Sequence, residues 1–329
     1  MRIDAPEKPA ARAALNGLGT VTVSGGRFAK HPFRALAMVC LLLAAGATAI
    51  AQELEPRAYQ TFPTGVNVLT CGYAWSRGGV LSDPNLPLQD VQADVHSGVL
   101  GYMRSFSLAG RSASVSLLVP YAFGTAEGLV YEERNSTRRE GLADPRVRFA
   151  VNLLGGPALS PKEFRNYRQK TNLGVSLTVA APLGQYDPTR LINLGTNRWA
   201  FKPEVGVSHA RGKWLLEGYV GVWMFTANAD FFGGQLREQS PVTNVQGHVG
   251  YAFGKGWMAM FNANYYIGGR IVVDGVRLMD LQRNSRIGGT LFIPLAPAHS
   301  LKVSVSRGAY TAVGADFTTL TVAYNYRWF

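Results

Sequence analysis

From about residue 65 to the C-terminus, apolar and polar side chains alternate one for one, in blocks separated by turn residues. Successive side chains of an extended chain point to opposite faces, so a period of two specifies strands with one greasy and one wet side. Segment 145–154 sets Val147, Phe149, Val151 and Leu153 against Arg146, Arg148, Ala150 and Asn152. Segment 172–180 sets Leu173, Val175, Leu177 and Val179 against Asn172, Gly174, Ser176 and Thr178. The final stretch, LTVAYNYRWF, places Leu320, Val322, Tyr324, Tyr326 and Trp328 on one side and Thr321, Ala323, Asn325 and Arg327 on the other.

Twelve such segments are predicted: 65–77, 89–106, 111–129, 142–154, 168–181, 198–209, 213–226, 242–253, 256–268, 282–294, 299–309 and 317–328. Short connections (109–110, 210–212, 254–255, 296–298) follow the even strands. Longer polar ones (78–88, 130–141, 182–197, 227–241, 269–281) follow the odd strands, and 155–167 is a long link where a short one is expected. Short turns on one rim, long loops on the other and an even strand count define a transmembrane antiparallel up-and-down β-barrel. Such a strand crosses the bilayer in about 9–11 residues, and a sheet survives in hydrocarbon only by closing on itself. The last strand then pairs with the first, and lipid covers its face. Trp199, Trp214, Trp257, Tyr265, Tyr324, Tyr326 and Trp328 fall mostly near strand ends, where aromatic girdles meet headgroups. A soluble β-sandwich is the competing reading, but its strands rarely need ten residues.

Residues 1–51 read as a cleaved signal peptide. A basic stretch with Arg27, Lys30 and Arg34 precedes ALAMVCLLLAAGATAI, and Ala49-Ile50-Ala51 offers small residues at the cleavage positions. That apolar run is shorter than the roughly 20 residues a spanning helix requires. Residues 52–64 then form a periplasmic N-terminal segment and 65–329 the barrel. Without the leader the chain keeps 27 basic and 19 acidic residues and one cysteine, Cys71, so no internal disulfide is available. Charged residues are 16% of the whole chain, against about a quarter in soluble domains.

Four blocks carry a family resemblance: GLADPRVRFAVNLLGGPALSPKEF (141–164), APLGQYDPTRLINLGTNRWAFKPEVGVS (181–208), DFFGGQLREQ (230–239) and YYIGGRIVVDGV (265–276). With them the chain resembles the meta-pathway phenol-degradation transporters, bacterial outer-membrane proteins. The resemblance implies an outer-membrane barrel in a Gram-negative cell and an association with aromatic catabolism. It transfers no functional residue.

Polar parity selects the candidates that line the lumen: Arg146, Arg148, Lys202, Glu204, Glu217, His248, Asn262, Asn264, Arg286, Lys302 and Arg327, with Tyr219 and Trp223 sharing the parity of Glu217. A charge facing lipid at mid-depth costs about 2–4 kcal/mol, so parity and energy agree. Their positive excess favours anionic solutes if the lumen conducts.

Other chemistry is not expected. A serine hydrolase needs a nucleophile beside a histidine, but His209 and His299 fall in turns, His248 faces inward, and His96 and Ser97 point to opposite faces. No catalytic, metal or cofactor site is expected; Asp187, Asp230, Asp274 and Asp280 read as solvated loop carboxylates. Dispersed basic residues in an exported chain argue against nucleic acid. The expected partners are outer-membrane lipid, the barrel-assembly machinery through strand 320–329, and a small-molecule solute taken up by a monomer. The expectation is passive uptake of small aromatic or hydrophobic compounds. The alternatives are a structural or adhesive barrel with a plugged lumen and, behind it, a lipid-hydrolase barrel.

Overall fold

A computed structural model describes residues 54–81, 88–130, 133–190 and 192–329; the leader expected over 1–51 lies outside them. In chain order the strands are β1 (Asn67–Leu81), β2 (Leu88–Leu108), β3 (Arg111–Val130), β4 (Glu133–Leu142) and β5 (Arg146–Leu154). A single helical turn, α1 (Pro161–Phe164), leads to β6 (Thr171–Ala180), β7 (Ala200–Arg211), β8 (Trp214–Phe225), β9 (Asn228–Phe231) and β10 (Gln235–Gln239). The chain continues through β11 (Val242–Gly254), β12 (Trp257–Gly268), β13 (Ile271–Val273), β14 (Val276–Arg277), β15 (Gln282–Ala296), β16 (His299–Thr311) and β17 (Gly314–Trp328).

Twelve strands, all of these but β4, β9, β10, β13 and β14, form a closed antiparallel barrel. Closure runs along the whole of β1, from Asn67 opposite Trp328 to Leu81 opposite Gly314. The open edge left by the terminal strand is thereby paired, as a sheet in hydrocarbon requires.

The two faces divide as the alternation dictates. Val205 and Val207 on β7 are 45% and 44% exposed, while Glu204 and Ser208 beside them are 4% and 0% exposed. Val220 on β8 is exposed between buried Tyr219 and buried Gly221. A continuous ring of exposed Leu, Val, Phe and Tyr is stable only where lipid covers it. The interior is a polar network, and the bilayer supplies the apolar medium that a soluble protein finds in its core.

Periplasmic turns are tight. Ala109 (φ 48°) and Gly110 (φ 75°) join β2 to β3 in a two-residue hairpin, both in the left-handed region such turns need. Lys255 and Gly256 do the same between β11 and β12. The link after β5 stays long because α1 occupies it: Ser160 Oγ accepts from Glu163 N while Ser160 N donates to Glu163 Oε2 at 2.8 Å, a reciprocal capping box.

Three expectations are corrected. Most of the segment expected as loop 130–141 is strand: β4 pairs with the outer half of β3, Val130 opposite Glu133 through Tyr121 opposite Leu142. The strand expected over 142–154 begins instead at Arg146, and β5 takes the inner half of β3. At the break Asp144, 4% exposed, accepts from Gly184 N (2.9 Å), Thr196 N (2.8 Å) and Thr196 Oγ1 (2.6 Å), drawing the chain toward loop 181–199. Loops 227–241 and 269–281 are also structured, for β9, β10, β13 and β14 form a separate four-stranded sheet on the extracellular side. Phe231, Ile271 and Val273 make its small buried core.

Candidate functional site

Residues 54–64, expected as a periplasmic lead-in, run into the lumen and are held there by the wall. Glu55 N donates to Gln246 Oε1 (3.0 Å) and Arg57 N to Glu217 Oε2 (2.7 Å). Tyr59 is 2% exposed; its hydroxyl lies 3.1 Å from Ser176 Oγ and 3.1 Å from Glu204 Oε1. The Arg148 guanidinium stacks over the Tyr59 ring and donates to Ala58 O at 3.1 Å. Further on, Asn172 Nδ2 donates to Thr61 Oγ1 at 2.8 Å.

The wall is shaped for this strap. Gly174 on β6 lies directly across from Gly206 on β7. A Cβ at either position would overlap the Tyr59 ring, so the glycine pair forms the slot that admits it. Tyr219 closes the slot from β8 with an edge-on contact, ring centroids 5.2 Å apart.

Around the strap most of the predicted lining residues come together. Lys202 Nζ lies 3.3 Å from Glu204 Oε2 and 3.5 Å from Glu55 Oε2, and Arg148 Nη2 lies 3.7 Å from Glu204 Oε1. Lys202 also sits over the Trp223 ring, 5.4 Å from its centroid. These charges are paired inside the barrel, where a low local dielectric strengthens a pair but penalises any partner left alone. Further round the wall, on β11, β12 and β15, His248 Nδ1 bonds Asn262 Oδ1 (2.9 Å), Asn262 Nδ2 donates to Thr290, and Asn264 Oδ1 accepts from Arg286 N at 3.1 Å. The Arg286 guanidinium donates to Phe317 O at 2.8 Å.

Arg146 lies one inward position further out than Arg148, at the edge of the outer chamber described below. Lys302 is half-buried on β16. Arg327 differs from the rest: it is exposed at the periplasmic rim, where its Nε donates to Pro297 O at 2.8 Å.

Two chambers open within the barrel, of which the inner one borders the strap. An inner one of about 240 Å³ has Arg57, Thr61, Tyr167, Lys213, Glu217 and Met258 among its lining. An outer one of about 250 Å³, toward the extracellular rim, is lined mainly by Val80, Val91, Val95, Ala122, Ile192 and Phe317, with Arg139, Asp144 and Arg146 at its margin. One side of this outer chamber is loop and not sheet, since Arg139 Nε donates to Ile192 O and Gln185 N to Leu142 O.

The histidines have other partners than the expectation weighed. His96 meets Tyr73 Oη and Asp94 on the outer wall. His209 lies on β7 and not in a turn, 2.8 Å from Thr171 Oγ1, and His299 begins β16 beside Tyr324. Asp280, read from the sequence as solvated, is 3% exposed and accepts from Ile271 N at 3.0 Å.

Sequence reasoning left open whether residues 52–64 enter the lumen, although the inward glycines at 174 and 206 were a signal for it. It also missed Arg198, at the very start of the block expected over 198–209, and Arg237, in what was expected as loop 227–241; both are buried beside the extracellular sheet.

Closed wall, lipid-facing apolar belt and polar interior define an outer-membrane β-barrel protein of the bacterial envelope. The chain belongs to the family described as "Putative MetA-pathway of phenol degradation", which matches residues 76–326. Among solved structures it is similar to an outer-membrane channel from Pseudomonas putida F1 (19% identity, 84% of this chain and all of that one, TM-score 0.73). It is also similar to the transport unit of the autotransporter AIDA-I from Escherichia coli (10% identity, 88% and 98% covered, TM-score 0.53). At these identities the likeness concerns the fold. No curated protein matches the chain.

Proposed function

We propose that this protein is a channel for the passive uptake of small apolar or aromatic compounds. The observation that carries the reading is the outer chamber: about 250 Å³, walled mostly by aliphatic side chains, inside a barrel whose interior is otherwise polar. An apolar cavity of about 150 Å³ suffices to hold benzene, so a single aromatic ring fits. The family's description, phenol degradation, names a compound class of that size. Below the chamber the strap obstructs the route to the inner chamber, so passage requires it to shift. Its fastenings are mainly hydrogen bonds and ion pairs, whose net worth is about 0.5–3 kcal/mol each because water replaces them. No catalytic step enters this reading.

The test is uptake of radiolabelled phenol by cells of a strain lacking the gene, with the protein restored. Restored cells should take up phenol faster at low concentration. Ala122→Trp, which fills the outer chamber from β3, should return the rate to background. Equal rates with and without the protein would defeat the proposal.

The strap itself favours a second reading, a structural barrel with a permanently filled lumen. Neutralising Arg146, Arg148 and Arg286 separates the two. A channel changes its ion selectivity in planar bilayers, whereas a permanent plug loses stability and never conducts.

A further inference from the structure

Beneath the extracellular sheet lie two arginines that nothing in the lumen network neutralises. Arg198, in the loop before β7, is 3% exposed, and Arg237, on β10, is 4% exposed. They are neighbours: Arg237 and Gln239 are two positions apart on the same face of β10, and Gln239 Oε1 accepts a hydrogen bond from Arg198 Nη2. Each guanidinium sits over an aromatic ring, Arg198 at 4.4 Å from the Phe225 centroid and Arg237 at 5.2 Å from that of Phe231.

Neither forms an ion pair with a described residue, and Nε and Nη1 of Arg198 and Nε and Nη2 of Arg237 are buried without a hydrogen-bond partner. Asp280 and Asp144 are the nearest anions, and their charges offset part of the burial cost of Arg237 and Arg198, but neither carboxylate reaches a guanidinium N–H. Both carboxylate oxygens of Asp144 are taken by Gly184 and Thr196, and Asp280 Oδ1 accepts from Ile271 N. Burial pushes the Arg237 guanidinium down to about 10, which leaves it charged at neutral pH, and lowers Arg198 as well. Two adjacent buried cations with orphan donors are a costly arrangement unless an anion joins them.

The donor pattern specifies the anion. Nε and Nη2 of Arg237 lie on one edge of the guanidinium, and that edge offers two parallel N–H groups spaced for the two oxygens of a carboxylate. The rings of Phe225 and Phe231 lie against the two guanidinium groups, and Phe225 continues into the buried cluster of Trp223 and Tyr266. We propose that Arg198 and Arg237 form a binding site for the carboxylate of a small aromatic acid at the extracellular entrance of the lumen. This refines the uptake reading, on which it rests for how the acid reaches the site, by naming an anionic aromatic substrate class.

The experiment is calorimetry on the full-length protein in detergent, titrated with benzoate, benzyl alcohol and inorganic phosphate. Benzoate should bind at least tenfold more tightly than either of the others. Arg237→Lys, which keeps the charge and loses the paired edge, should weaken benzoate about tenfold, and Arg198→Gln or Arg237→Gln should abolish its binding. Equal affinity for benzoate and benzyl alcohol, preference for phosphate, absence of benzoate binding, or affinity unchanged in folded Gln variants would each overturn the site. If a variant does not fold, the wild-type ligand comparison decides alone. Because binding in detergent needs no transport, benzoate binding without phenol uptake would sink only the channel reading, and uptake without benzoate binding would sink only the site.

Discussion

At the scale of single residues, the lumen is governed by how Tyr59 fits between Gly174 and Gly206. Gly206→Val should drive the ring out of its slot. Overpacking of this kind costs about 1–3 kcal/mol, enough to shift the strap's seated population roughly fivefold to over a hundredfold. The expected readout is a higher open fraction in single-channel recordings; the control Gly218→Ala, on β8, where an added Cβ meets only Gln246 O at 4.0 Å, should change nothing. Parity exposed most of the lining: Lys202, Glu204, Glu217, Trp223 and His248 face inward because their strand partners of opposite parity are lipid-facing. It could not expose what they touch. Tyr59 stands outside the alternating blocks, and contacts between it and residues more than a hundred positions away leave no periodic trace.

At the scale of elements, the departures from regular alternation are the informative places. β4 was hidden because its outward side chains include Arg134, Arg138 and Glu140, where other strands carry valine and leucine; beyond the apolar band a strand loses its greasy face. Asp144 fixes the break between β4 and β5. Asp144→Asn keeps the size but replaces one acceptor oxygen with a donor facing donors, and should cost about 1–3 kcal/mol. Faster proteolysis of loop 181–199 in a barrel that still resists unfolding in SDS would show it. The extracellular sheet had a legible cue in VVDGVR: an Asp-Gly pair between apolar residues, with Asp274 at φ 47° and Gly275 at φ 79°. Strands of two and three residues are too short for alternation to reveal. Gly275→Val forces a β-branched residue into the left-handed region at a cost of about 1–2 kcal/mol. Amide exchange at Ile271–Val273 should accelerate, while exchange on β7 and β8 stays unchanged.

At the scale of the molecule, the fold reverses the usual arrangement of a globular protein. Burial is polar, exposure is apolar, and the hydrocarbon of the bilayer closes the account. The twelve-strand count was legible because every membrane-crossing strand must keep one face compatible with lipid over its full width, whatever its loops do. The strap and the extracellular sheet were not legible to the same degree, because neither touches lipid and so neither is bound by that rule.

The most direct test of this arrangement is a spin-label scan of residues 201–208 on β7 in lipid bilayers, reading oxygen accessibility in a Cys71→Ala background. Labels at Phe201, Pro203, Val205 and Val207 should be high in oxygen accessibility and those at Lys202, Glu204, Gly206 and Ser208 low, with a period of two residues. A flat profile, or maxima at the even positions, would contradict a barrel with its polar side inward.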